Sequence, residues 1–261
     1  MAGYAWISLT TDYGISDGFV AACHGVVARL APAARIIDIS HGFVPGDVRR
    51  GAAVLAQTVP HLPPAVHVAV IDPGVGTSRR GIVVETPGGV LVGPDNGLLP
   101  WAADALGGVR RVLALTNPLW LAPTVSRTFH GRDVFAPAAA RIAAGAGVDE
   151  AGAALDPASL VRLPAPVIAL GDGWLESEVL TVDRFGNVQL AAPADLIDRL
   201  ATTLSIDGVW ARRGGTFADA PAGGLVVFGD SAGHLAIAVN GGRAAVVLSV
   251  SPGDVLRLAW H

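Results

Sequence analysis

No lysine occurs anywhere in the sequence, and all 18 basic residues are arginine. That absence removes a phosphate-loop lysine, a Schiff-base lysine for pyridoxal phosphate and any lysine general base. Cysteine is scarce as well. Cys23 stands alone, which excludes an intrachain disulfide and a cysteine-rich metal site, and it reads as a small buried apolar residue on a helix. Long apolar runs are missing too. The hydrophobic share is 51% and the mean hydropathy +0.50, yet Gly, Pro or charge interrupts every few residues, short of the roughly 20 apolar residues of a membrane span. Met1-Ala2-Gly3-Tyr4-Ala5-Trp6 lacks a basic segment followed by an apolar one, so no secretory leader is expected. A soluble cytoplasmic protein, away from membranes, is the expectation. With a net charge of -4 and a pI near 5.9 there is no basic stripe to release counterions from phosphates, which argues against a nucleic-acid partner. The Gly-x-Gly-x-x-Gly fingerprint is absent, which disfavours a standard dinucleotide site and an ordinary nucleotide-dependent oxidoreductase. None of the seven histidines forms a His-Glu-x-x-His helix or a paired spacing, so no metal and no resident cofactor is expected.

What is present is a regular alternation. Strands are expected over 5–10, 34–39, 66–71, 82–85, 90–92 and 109–115, and helices over 19–30, 46–59, 98–106 and 132–144. Strand, loop and helix repeated in this way read as an α/β fold with a mainly parallel sheet. From about residue 167 the pattern changes to short alternating runs, 174–182, 187–190, 203–206, 224–228, 235–239, 245–249 and 255–259, separated by Gly- and Asp-containing turns. That is the signature of a small antiparallel β-barrel, in which only 194–200 looks helical. The Ala-, Gly- and Pro-rich segment 145–166 suggests a boundary at its end, giving an α/β domain over 1–166 and a barrel domain over 167–261.

Polar clusters sit at the expected strand ends, where α/β folds keep their binding chemistry. The central one is Asp72-Pro73-Gly74-Val75-Gly76-Thr77-Ser78-Arg79-Arg80, a strand-end carboxylate with a guanidinium seven residues on. It is not a phosphate loop, since its glycines are not followed by Lys and Ser/Thr, and Asp72 could equally be a turn former beside a solvated arginine pair. Asp12, in Thr11-Asp12-Tyr13-Gly14, is either a cap or turn residue or a carboxylate that accepts hydrogen bonds from a ribose diol. His130 lies just ahead of a helix, where it could satisfy backbone groups or act on a ligand. Asp183-Arg184-Phe185-Gly186-Asn187 could be an ordinary barrel turn, or a planar base could stack on Phe185 while Asn187 reads its edge.

Thr-Thr-Asp-Tyr-Gly, Asp-Pro-Gly-Val-Gly-Thr-x-Arg, Gly-Pro-Asp-Asn-Gly, Thr-Phe-His-Gly-Arg-Asp-x-Phe-Ala-Pro and Val-Asp-Arg-Phe-Gly-Asn follow one another in this order over nearly the whole chain. Together they resemble the S-adenosyl-L-methionine hydroxide adenosyltransferase family, the adenosine-forming hydrolases related to fluorinase and chlorinase. The resemblance implies a homotrimer with sites between neighbouring subunits and S-adenosyl-L-methionine as the small-molecule substrate. It places the catalytic roles on Asp72, Arg79 and His130, the ribose contact on Asp12, and a second acidic position near the substrate on Asp17. Asp183, Phe185 and Asn187 fall on the motif that contacts the methionine amine and the adenine, Ser231 on a serine near the methionine carboxylate, and Asn240-Gly241 on the segment whose backbone reads adenine. The halogenating relatives have a tyrosine where this chain has Asp72 and an arginine where it has Ala232, and the fluorinase has a serine where it has Gly131. A carboxylate would repel a halide and accept hydrogen bonds from water, so hydrolysis is the expected reaction. The alternatives are a 5′-halogenase and a binding protein that keeps the pocket without turnover.

Overall fold

Valine and isoleucine fit the pleated, half-buried surface of a strand, and short runs of them alternate with amphipathic segments through the first part of the chain. The computed structural model describes residues 3–260; Met1 and Ala2, part of the stretch read above for a leader, and His261 lie outside the described residues. The chain divides into two units, one running to Leu163 and the other starting at Pro164, beside the 166/167 boundary expected from composition. Among the described residues no helix is long and apolar enough to cross a membrane.

The first unit contains, in order, β1 (Trp6–Thr11), α1 (Phe19–Leu30), β2 (Arg35–Ser40), α2 (Val48–Thr58), β3 (Val66–Val70), β4 (Gly81–Glu85), β5 (Val90–Pro94), α3 (Pro100–Ala105), β6 (Arg111–Ala114), α4 (Ala136–Ala143) and β7 (Ala154–Leu155). The strands form one sheet in the order β2-β1-β3-β5-β4-β6-β7. β1 pairs in parallel with both β2 and β3, and β3 with β5, whereas β4, β6 and β7 add antiparallel partners at the other side. Because successive side chains of a strand face opposite ways, the sheet separates two apolar clusters. Val66, Val68 and Val70 pack with α1 and α4, and Ala69 and Ile71 pack with α2 and α3. The chain reverses direction across the sheet between β1 and β3, and such a switch point leaves a crevice at the carboxyl ends of the two strands. Asp12 follows one strand and Asp72 the other.

The expected helix over 132–144 is two pieces. Gly131–Phe135 forms a π-helical turn, with the Ala136 N–H reaching back to the Gly131 carbonyl, and α4 starts only after it. Pro137 stands in the first turn of α4 and has no N–H to give. The Asp133 carbonyl accepts from the Ala122 N–H instead.

The second unit contains β8 (Ile168–Gly171), β9 (Trp174–Val182), β10 (Val188–Pro193), β11 (Thr203–Ile206), β12 (Val209–Arg213), β13 (Leu225–Gly229), β14 (His234–Val239), α5 (Ala244–Leu248) and β15 (Val255–Ala259). The order β10-β14-β13-β12-β11-β15-β9 closes on itself through a β9–β10 pairing, making a seven-stranded barrel with β8 appended to β9. All its pairings are antiparallel except β12 with β13. The alternating run over 245–249 is not the strand expected. It is α5, with Ala244 buried, Ala245 and Leu248 packed on the barrel core, and Val246 and Val247 exposed. Residues 244, 245 and 248 share a helical face, and Ser249 stops the helix in the left-handed region at φ 54°.

On β3, His67 is 1% exposed and its Nδ1 lies 2.8 Å from the Ser8 hydroxyl. Burial pushes its pKa down to about 4. Between that value and the ordinary 6.5 the unfolded chain binds a proton that the folded protein refuses, so stability falls as the pH drops through this window. Urea unfolding at pH 7 and pH 4 should show a loss of roughly 2–4 kcal/mol from this group, and the His67→Gln protein should lose correspondingly less.

Candidate active site

Alternation along β3 carries one residue past its end: Ile71 faces α2 and α3, so Asp72 falls on the side of α4 and of the π turn. There Arg79 holds it in a two-pronged grip. Arg79 Nε lies 3.0 Å from both Asp72 oxygens, and Nη2 donates to Oδ2. The two side chains are only 5% and 12% exposed. The Arg79 guanidinium also lies over the Phe135 ring, 5.2 Å from its centroid, a favourable cation–π placement.

The third member joins through Arg79. Its Nη2 is 2.7 Å from His130 Nδ1. A guanidinium has hydrogens to give and no lone pair to offer, so Nδ1 accepts and the neutral ring carries its proton on Nε2. Burial, and next the charge of Arg79, hold the His130 pKa below the ordinary 6.5. Asp72, Arg79 and His130, from a strand end, a loop and a helix start, thus form one connected group.

Several residues outside the expected site set hold this group in place. Gly76, at φ 76°, lies so close to the Arg127 carbonyl that a Cβ would stand 2.2 Å from it, which brings the Asp72 loop against the segment leading to His130. Asn96 Nδ2 donates to the Ile71 carbonyl at 2.8 Å. Arg80 turns away from Asp72 and binds Asp95 and the Ser159 carbonyl. The Gly-Pro-Asp-Asn-Gly motif is therefore a brace for the loop, and the adjacent arginines have separate tasks. Asp133 accepts the Ser126 N–H at 2.8 Å and bonds Arg132, shaping the loop before His130. Burial works to raise its carboxyl, and Arg132 and the Ser126 N–H outweigh that, leaving its pKa below the usual range.

Asp12 Oδ2 accepts the Gly46 N–H at 2.8 Å, and Gly46 abuts Pro73, so the Asp12 and Asp72 loops are neighbours. Tyr13 is a site residue that sequence reasoning did not single out. Its ring packs on Phe19 and Phe129, and its hydroxyl takes the Gly131 N–H, while burial pushes its own pKa far up. A Cβ on Gly131 would lie 2.1 Å from that hydroxyl. The signal available in the sequence was the aromatic flanked by Asp12 and Gly14 and the glycine beside His130. Asp17 is exposed ahead of α1, whose capping position is Gly18. Cys23 is buried on α1 with its thiol pKa pushed up to about 12 by burial.

In the barrel unit, Asp183 Oδ1 accepts the Phe185 and Asn187 N–H groups and Oδ2 accepts Asn187 Nδ2. The carboxylate thus builds the turn, with Gly186 at φ 85°, and presents Phe185 with 71% of its surface exposed. Ser231 is exposed in a turn organised by Asp230, whose Oδ1 accepts from Ala232 and His234. Asn240 Nδ2 donates to the Ala220 carbonyl, and Gly241 follows at φ 81°.

The sequence matches the SAM hydroxide adenosyltransferase N-terminal domain over residues 7–152 and the C-terminal domain of the same family over residues 177–257. The chain belongs to this adenosyltransferase family. An (R)-S-adenosyl-L-methionine hydrolase of Salinispora arenicola is 62% identical over 258 residues, 99% of either chain. A fluorinase of an Actinoplanes species is 26% identical, over 95% of either chain. The crystal structure of an uncharacterized conserved protein from Thermotoga maritima superposes with a TM-score of 0.90 at 36% identity, covering 97% of this chain and 99% of that one.

The connected group makes a spectroscopic prediction. In nitrogen-15 correlation spectra, His130 should appear as the neutral Nε2–H tautomer at pH 7 and should titrate below 6.5. An Nδ1–H signal would contradict the bond from Arg79.

Proposed function

We propose that this protein hydrolyses S-adenosyl-L-methionine to adenosine and L-methionine. The observation that carries the reading is the nearly dry Asp72 carboxylate gripped by Arg79 and tied through it to a neutral His130, in a chain 62% identical to a named hydrolase of this substrate. The sulfonium leaves as a neutral thioether, so no acid is needed to protonate it and the chemistry requires no metal or redox cofactor. What remains is to hold a water in line with the ribose C5′–sulfur bond. Such positioning is worth roughly 7 to 11 kcal/mol in well-oriented systems. As the C5′–O bond forms, the C5′–S electron pair stays on sulfur and one water proton must leave. His130 has its Nδ1 lone pair engaged and a hydrogen on Nε2, which makes it a donor that orients the water. Asp72 is the remaining acceptor, and its Oδ1 takes one bond from Arg79 where Oδ2 takes two.

Around this centre the ribose diol is assigned to Asp12 and an accessory acidic contact to Asp17. The barrel turn Asp183-Phe185-Asn187, Ser231, and Asn240-Gly241 are assigned to the adenine and methionine ends. Asp183 acts mainly by shaping that turn. With Ala232 beside Ser231, the methionine carboxylate is left to the hydroxyl and to backbone N–H groups. A carboxylate at position 72 is hostile to a halide, which favours hydrolysis over halogenation. The relatives' names specify the (R) configuration, and we extend that preference to this protein.

We further infer a homotrimer, housed in the cytoplasm, whose sites are completed by neighbouring subunits. Ile15 and Val44, on the two loops that meet at Asp12, are 88% and 68% exposed, and Phe185 is 71% exposed. On each unit, exposed apolar groups of this kind beside polar site residues mark surfaces that another chain covers. Light scattering should give three times the 26.5 kDa chain mass.

The decisive assay is chromatography of the products from each purified sulfonium epimer, with and without chloride. Adenosine and methionine from the (R) epimer are expected, independent of halide. A 5′-chloroadenosine product would assign a halogenase, and tight binding without adenosine would assign a sensor. Asp72→Asn should lower kcat by roughly 10²- to 10⁴-fold with little change in KM. Equal losses in binding and turnover would make Asp72 a binding residue.

A further inference from the structure

His24 on α1, Asp38 on β2 and His41 just beyond β2 are far apart in kind and uneven in spacing, yet the fold brings them together. Among the described residues they form a grouping whose ligand atoms all lie within 4.8 Å of one another. His24 Nε2 is 2.9 Å and His41 Nε2 3.0 Å from the same carboxylate oxygen, Asp38 Oδ1. Ligands of a tetrahedral zinc ion, with bonds near 2.0–2.1 Å, stand about 3.3 Å apart, so small side-chain rotations admit an ion.

The second observation concerns His41. It is 7% exposed, and among the described residues its buried Nε2 has no hydrogen bond beyond its close approach to Asp38. An Asp38 carboxylate oxygen stands 3.0 Å away. On the other side of the ring, Nδ1 lies 2.8 Å from the Thr11 hydroxyl, in a buried contact. When Nδ1 donates to Thr11, the Nε2 lone pair faces a carboxylate oxygen, two acceptors that a cation between them would reconcile. A metal-binding histidine is commonly fixed in this way through its other nitrogen. The His24 and Asp38 side chains are 34% and 41% exposed, which leaves an entry path and room for a water as fourth ligand.

We propose that His24, Asp38 and His41 bind a divalent transition-metal ion of the zinc class, and that the ion clamps α1 and the end of β2 to the loop carrying Asp12. Two imidazoles and one carboxylate suit zinc and its first-row neighbours and are poor ligands for calcium or magnesium. The clamp runs through His41: its ring meets Thr11, its carbonyl accepts the Gly14 N–H at 2.8 Å, and Thr11 Oγ1 accepts the Tyr13 N–H at 3.3 Å. The role is structural and departs from the metal-free expectation of the sequence, where these residues lie on three separate elements.

The test uses untagged, chelator-treated full-length protein. Titration with zinc should give one ion per chain, and the cobalt(II) adduct should show the intense visible bands of a four-coordinate ion. His24→Gln, at a half-exposed position, and the near-isosteric Asp38→Asn should each weaken zinc binding at least tenfold while keeping the wild-type circular dichroism. Zinc should raise the wild-type Tm and leave that of His24→Gln unmoved. Hydrogen exchange at the Tyr13 and Gly14 amides should slow on zinc addition. No stoichiometric uptake, or uptake as tight in the two variants as in the wild type, overturns the site; binding without any change in exchange at 13–14 overturns the clamp.

Discussion

A carboxylate and a guanidinium that share a nearly water-free position at the end of β3 set the terms for the surrounding architecture. Removing two charges from water is costly, and the pair is favourable only where geometry and further bonds are good. The neighbourhood supplies both. Parity along β3 aims Asp72 toward α4, Phe135 offers its ring to the guanidinium, and His130 accepts the second Nη2 hydrogen. Breaking the pair from either side would strand a buried charge. The loop therefore needs bracing, which Asn96 provides at the Ile71 carbonyl and Arg80 provides through Asp95.

The same geometry divides the labour of the three residues in a way that their types alone do not. Histidine is the usual candidate for a general base, yet here its one free lone pair is occupied by a permanent cation. In the proposed reaction the imidazole is a fixed donor and the carboxylate takes the acceptor role. Placement at the crevice between β1 and β3 follows the habit of open α/β sheets, in which the strand order reverses where the ligand sits. Asp12 and Asp72 are close because their strands are neighbours, although sixty residues separate them in sequence.

The α/β unit was legible because β3 and its partners are short valine runs bounded by Gly, Pro and Asp, and the family motifs then pointed to Asp72, Arg79 and His130. The choice between Arg79 and Arg80 was not visible locally, since each has the same chemistry and only the positions of Asp72 and Asp95 separate them. The π turn after His130 was hidden because helical periodicity does not distinguish a wider turn from an ordinary one. In the barrel, Ala-Val-Val-Leu-Ser over 245–249 has the β-branched content of a strand, but packing of Ala244, Ala245 and Leu248 on the barrel core decided for α5. β12 escaped notice because Val209 and Trp210 are exposed, which breaks the alternation that marks a strand. The His24, Asp38 and His41 grouping was invisible for a similar reason: its ligands converge only after β2 has docked beside α1.

Gly131 bears on how such a site can change over generations. With the Tyr13 hydroxyl occupying the space a Cβ would need, positions 13 and 131 are not independent letters. A mutation that adds a side chain at 131 clashes with Tyr13, whose ring packs on Phe19 and Phe129, unless that ring shifts or residue 13 is smaller. Access to new chemistry beside His130 is therefore eased when the change at 131 is preceded by one at a residue 118 positions away in sequence.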